Sequence, residues 1–269
     1  MLFAMVGFFP GLSVSAEENF SEKPMTTIEW YWEDNFTESE KEMVRSWLNR
    51  VTGSVELVLG PYPFDLQFFI HRRDHAGEPV PWANTRRMSN EQGVDFHIDP
   101  SYPLNSFLED WTAPHEISHL SIPYLGRENA WFAEGYASFM QYQVMEQMGI
   151  YTNSQVNEKY AAKLAIARPY YRGEDPVVII AKSLQKSHRY RQMYWGSASY
   201  FIQLDEMIRA RHGTSLSGVI REYQNCFRQT DATIDEIVTS WDRLLESSAC
   251  GDLLRVYQNR PASEVFIWE

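Results

Sequence analysis

The chain is short of cysteine, of positive charge and of linker-like composition, and each shortage removes a class of protein. Two cysteines in 269 residues, Cys226 and Cys250, are too few for a disulfide scaffold and too far apart for a CxxC redox or zinc-knuckle pattern. They can form one bridge or stay two buried thiols. Lys and Arg number 24 against 36 Asp and Glu, a net charge of −12. That balance speaks against a long phosphate-binding surface, because nucleic-acid binders concentrate basic side chains, and no nucleic-acid partner is expected. Past the N-terminus no apolar run approaches the roughly 18 residues that a membrane span requires. Neither an internal repeat nor a Gly/Ser-rich or Pro-rich linker divides the chain, so its parts should share a cleft rather than move as separate domains.

What the chain does contain is apolar and aromatic material: 44% hydrophobic and 14% aromatic residues, enough for one large core or for two small subdomains meeting at a cleft. The first residues hold an apolar run from Leu2 to Phe9, a breaker at Pro10-Gly11 and small residues at Val14, Ser15 and Ala16. This is the pattern of a signal peptide cut after Ala16, although the positive n-region is missing. Residues 1–16 are therefore expected to be removed, leaving residues 17–269 as one extracytoplasmic domain.

Thr37-Glu38-Ser39-Glu40 reads as a capping box opening a helix whose apolar face is Met43, Val44, Trp47, Leu48 and Val51, with Gly53 as its end. Two strand-like runs follow, Val55 to Leu59 and Asp65 to His71, separated by Gly60-Pro61-Tyr62-Pro63. Gly93 to Asp99 alternates Val94, Phe96 and Ile98 against Asp95, His97 and Asp99, the signature of a one-sided strand, placed here at a sheet edge. From Ser106 onward the period is helical. The expected segments are Phe107 to Leu120, Ala130 to Met148, Ser154 to Ile166, Tyr190 to Arg211, Leu216 to Phe227 after Ser215, and Ile234 to Leu245 after a second capping box at Thr233 to Glu236. A sheet-rich part over 17–106 and a helical part over 107–269 define an α+β chain.

Inside the helix expected from Phe107 stands His115-Glu116-Ile117-Ser118-His119. Histidines four apart lie one turn apart on one helix face, so both imidazoles can reach a single ion, while Glu116 projects where it can take a proton from water at that ion. Such a short motif needs context. Fourteen residues after His119, Trp131-Phe132-Ala133-Glu134-Gly135-Tyr136-Ala137 sets a carboxylate among large apolar residues, where it needs a cation.

These residues resemble the gluzincin metallopeptidases, in particular the aminopeptidase-N and glycyl-aminopeptidase-like groups, whose helix after HExxH carries W-x-x-E-G-[FY]-A. The resemblance spans about residues 93–223 and implies a zincin-like fold, one Zn2+ ion held by His115, His119 and Glu134, and a fourth position left for water, as in catalytic rather than structural zinc. It also implies a downstream tyrosine on a Y-x-x-G helix start that hydrogen-bonds the oxyanion. Tyr194, in Met193 to Ala198, is the candidate, one residue out of register. Tyr190 and Tyr200 are neighbouring alternatives, and His188 could serve as the imidazole donor of thermolysin-like enzymes. Asp110 could accept a hydrogen bond from a ligand histidine or belong to the helix N-terminus. His71, His75, His97 and His212 have no ligand spacing and read as surface or loop residues.

The implied activity is hydrolysis of peptide bonds in a peptide or protein substrate, with Glu116 as general base and acid. The strand from Gly93 to Asp99 would pair with substrate backbone. The G-x-M-E-N sequence that holds the free amine in aminopeptidases is not matched by Arg87 to Gly93, so aminopeptidase specificity is not carried over. The family's large accessory domains do not fit this length, which suggests a stand-alone catalytic unit. Two rivals stand beside this reading: an inactive binding protein on the same fold, and a zinc hydrolase of a non-peptide amide or ester.

Overall fold

The computed structural model describes residues 25–87, 92–229 and 231–266. The expected signal peptide and its cleavage point lie outside them. The first strand, β1 (Ile28–Trp32), leads into a 22-residue helix, α1 (Glu38–Leu59). Thr37 and Glu40 close the expected capping box, with the Glu40 amide on the Thr37 hydroxyl and the Glu40 carboxylate on the Thr37 amide. Gly53 does not end this helix. Val51, Val55, Val58 and Leu59 recur at helical spacing and are all buried, so the run expected as a strand forms the last two turns of α1. The terminator is Gly60, at φ 85, a backbone conformation that side chains beyond glycine rarely tolerate, with Pro61 behind it.

Next come β2 (Leu66–Arg72), β3 (Trp82–Arg86) and β4 (Gly93–Ile98). The sheet order is β1-β2-β4-β3, with β1, β2 and β4 parallel and β3 antiparallel to β4. The strand expected at the edge is thus interior, and the edge on its side is β3, a Trp-Ala-Asn-Thr-Arg run whose polar composition hid it. β1 was equally hidden by its aromatic and acidic mixture. One sheet face packs on α1: Trp47 meets Phe96 at 5.5 Å between ring centroids, and Phe68 meets Phe96 at 5.6 Å.

The remainder is helical. The segment expected from Phe107 to Leu120 is two helices, α2 (Leu104–Glu109) and α3 (Thr112–His119), broken at Asp110-Trp111. Then follow α4 (Ala130–Gln147), α5 (Asn153–Ala167), α6 (Val177–Lys186), α7 (Tyr190–His212), α8 (Leu216–Cys226), α9 (Ile234–Leu244), α10 (Ala249–Asn259) and the short α11 (Ala262–Val265). The capping box at Thr233 and the Ser215 cap form as expected, while α6 and α10 were not foreseen. α4 and α7 share the most extensive helix contact, through Phe132 and Phe201 at 4.9 Å and Tyr136 and Phe201 at 5.7 Å. Among the described residues no helix is long and apolar enough to cross a membrane. Cys226 is exposed and Cys250 buried, and neither is bonded to the other. The architecture is α+β, a small N-terminal sheet followed by a mostly helical part, and one apolar core runs through both.

Candidate metal centre and cleft

The site begins with two helices crossing. α3 presents His115 and His119 on one face, and the first turns of α4 present Glu134 opposite. Behind Glu134, Gly135 lets α4 approach α7 closely: a Cβ there would come within 2.7 Å of the Ser197 carbonyl carbon. The glycine after the acidic residue is therefore a packing requirement. The result is a group of three ligand atoms within 4.8 Å of one another: His115 Nε2 lies 3.2 Å and His119 Nε2 3.6 Å from Glu134 Oε2.

These separations test whether an ion fits. A tetrahedral ion with bonds of about 2.0–2.2 Å holds neighbouring ligand atoms about 3.4 Å apart, a value that lies between the two distances, and two imidazoles with one carboxylate are a donor set that suits zinc. The residues present fit the metal. Burial alone would raise the Glu134 carboxyl, but the charge of His119 and the hydrogen bond from His115 outweigh it and hold the group well below the ordinary carboxylate range.

His115 Nδ1 lies 3.0 Å from Gln141 Oε1, so Gln141 holds the Nδ1 proton and Nε2, which bonds Glu134 when protonated, is the nitrogen that would offer its lone pair to an ion. Gln141 was not singled out from the sequence. It stands seven residues after Glu134, two turns along the same face of α4, and projecting that helix from Glu134 would have found it. Asp110 takes the other role foreseen for it: its Oδ1 accepts the Thr112 amide at 2.8 Å, at the N-terminus of α3. A second unforeseen group acts at the far end of α3, whose last carbonyls need donors. Arg87, just beyond β3, donates to the carbonyl oxygens of His119 and of Ile122, the latter at 2.8 Å, and Arg228 donates to Leu120 at 3.0 Å.

Of the three metal-binding candidates, His119 and Glu134 line a cleft of about 360 Å³. Its walls are β3 on one side and the α4 and α7 N-terminal turns on the other, and both Glu116 and Tyr194 line it. Burial pushes the Glu116 carboxyl above its usual value, opposed by His115 and His119. The Tyr194 ring stacks near His115, 6.0 Å between centroids. Burial and then the carboxylates of Glu134 and Glu116 raise its phenol, so Tyr194 keeps its proton at neutral pH. Tyr190 lines the same cleft nearer its rim, 6.4 Å from Tyr194. Tyr200 is buried elsewhere, donating to the Cys250 carbonyl at 3.2 Å. His188 precedes α7 in a left-handed conformation (φ 57) and packs on Tyr190 rather than among the described cleft residues. Of the histidines expected to be unremarkable, His71 and His97 are adjacent on the outer sheet face, stacked at 4.3 Å.

No protein-family profile and no curated protein sequence matches the chain. Among solved structures it is similar to an M1 zinc metallopeptidase from Deinococcus radiodurans, with 13% identity over 84% of this chain and 45% of that one and a TM-score of 0.49. It is also similar to a two-domain M1 zinc metallopeptidase variant bound to L-arginine, with 12% identity over 91% of this chain and 52% of that one and a TM-score of 0.53. The chain thus spans about half the length of these structures, and the second likeness shows a shared fold with that structure.

Proposed function

We propose that the protein is a zinc-dependent peptidase whose ion is held by His115, His119 and Glu134. The observation that carries this reading is the convergence of those three ligand atoms within 4.8 Å at a cleft that His119, Glu134, Glu116 and Tyr194 line. Bound here, zinc would supply a Lewis acid and lower the pKa of water toward neutrality. Glu116 takes the proton of the attacking water, a task suited to a carboxyl with a raised pKa, and returns it to the departing amine. Tyr194, protonated throughout, donates a hydrogen bond to the oxyanion that develops on the substrate. Gln141 keeps the His115 ring in one tautomer.

The substrate's backbone runs along β3, whose outer side is unpaired among the described strands and whose residues Trp82 to Thr85 wall the cleft. Edge strands recruit peptides in this way. This assigns to β3 the role expected of β4. We also propose export, supported by the run from Leu2 to Phe9 and the small residues before Glu17; protein secreted from its own host should begin at Glu17, and retention of Met1 would refute it. The zinc assignment is tested by metal analysis of purified wild type beside His119→Ala. Near one zinc per wild-type chain and a large loss in the variant are expected, whereas equal contents would show that the ligands lie elsewhere.

A further inference from the structure

The cleft does not end at the edge of the sheet. Trp82, the first residue of β3, belongs to two concavities: it lines the catalytic cleft, and with His97, Arg73, Asp74, Ala76 and Pro81 it lines a shallow depression on the outer sheet face. Its indole is 52% exposed, although edge strands usually carry charge or proline at such places, because an exposed apolar residue there invites adventitious pairing.

Beneath the ring the support is rigid. The Trp82 ring lies 4.5 Å from His97, its cross-strand partner in register, and His97 stacks on His71 at 4.3 Å with 9° between planes. His71 is fixed in turn by Asp95, 3.2 Å from its Nε2. Desolvation and then the neighbouring His71 and Arg73 keep the His97 pKa below the usual histidine value, so at neutral pH the ring under Trp82 is uncharged. Two stacked imidazoles, with the Trp82 ring leaning on the nearer one at 60° between planes, back the half-exposed indole from beneath. A large aromatic surface at little cost in side-chain entropy is what recurs at binding hot spots.

Resting on the proposed peptidase activity, we propose that Trp82 is the plate of a peripheral subsite, receiving an aromatic or large aliphatic side chain of a peptide that extends beyond the catalytic cleft. The occupant is argued from continuity: a peptide paired along β3, whose five residues span roughly 13 Å at the usual rise per residue, must pass over Trp82 to leave the cleft at that end. The substrate class that follows is an extended peptide several residues long rather than a dipeptide.

The test is a series of internally quenched peptides sharing one cleavage sequence and lengthened residue by residue at either end, with Phe or Gly as the added residue. Each is measured with zinc-loaded wild type, Trp82→Ala and Trp82→Phe, and binding of the same peptides to zinc-loaded Glu116→Gln, with and without Trp82→Ala, is measured by calorimetry. The expected result is a fall in KM of about tenfold when Phe is added at one end and one length, absent with Gly. That gain should be lost in Trp82→Ala and largely kept in Trp82→Phe, with the matching change in Kd. A gain from Phe that survives Trp82→Ala, or no gain at any length, overturns the subsite. Absence of cleavage at every length combined with a Trp82-dependent Kd would refute the peptidase reading and keep the subsite.

Discussion

His115 carries two bonds with opposite purposes. Its Nε2 faces Glu134, and its Nδ1 is engaged by an uncharged amide, Gln141, where a carboxylate would have made the imidazole a stronger donor. Gln141 is 3% exposed, so removing its oxygen leaves a buried N–H without a partner and frees the ring to turn. Gln141→Ala should therefore weaken zinc binding about 10- to 100-fold, read by competition with a chelator, while circular dichroism stays native; unchanged affinity would refute the tautomer argument. At this scale the sequence was informative where chemistry is encoded by spacing. His115, Glu116 and His119 could be read from a helical turn, and Glu134 from its apolar setting. Gln141 and Arg87 were illegible because a polar residue that serves a ligand through another group follows no motif. Asp110 stood open between two roles, and the chain break at Asp110-Trp111 decides for the N-terminus of α3.

Elements were legible where one face alone is apolar and a cap marks the start. The amphipathic α8 and α9 came out within a residue or two, as did α7. The failures share a cause. In Val55 to Leu59 a β-branched run suggested a strand, yet Val51, Val55, Val58 and Leu59 continue the buried stripe of α1, and packing overrode propensity. β3 lacks alternation because it is a polar edge strand beside a cleft. α1 and β2 are joined by an ion pair that makes a separate prediction. Arg72 donates to both Glu40 oxygens, at 2.9 and 3.1 Å, and that hydrogen bond is the main reason the Glu40 pKa falls from 4.5 to about 2. A depressed carboxyl stabilises the fold above its unfolded pKa and loses that contribution as pH falls through the folded one, so the window is pH 4.5 down to about 2. Both groups are partly solvated, 20% and 30% exposed, and the contribution at pH 7 should be about 1 kcal/mol. Glu40→Gln, which keeps the capping box, should lower unfolding stability by that amount at pH 7 and by only a small fraction of it at pH 2. An equal deficit at both pH values would mean that the pair is not its source.

The whole molecule is a sheet and a helical bundle meeting where α3 crosses α4, and its fold class was legible because the strand-rich and helical stretches are segregated along the chain. What could not be read was how the two parts are tied. Arg87 leaves the end of the edge strand to hold the His119 and Ile122 carbonyls, and Arg228, from just beyond α8, holds Leu120, so α3 is gripped from both parts by cations at its negative end. The cleft wall and His119, a proposed metal ligand, are thereby parts of one hydrogen-bonded unit. The most direct measurement of the central claim is an unbiased peptide-library digest with zinc-loaded wild type, run beside zinc-loaded Glu116→Gln and Tyr194→Phe. The account predicts cleavage by wild type, loss of cleavage in Glu116→Gln despite full zinc occupancy, and a rate reduced about 10²- to 10³-fold in Tyr194→Phe; no cleavage by wild type, or equal cleavage by wild type and Glu116→Gln, would contradict it.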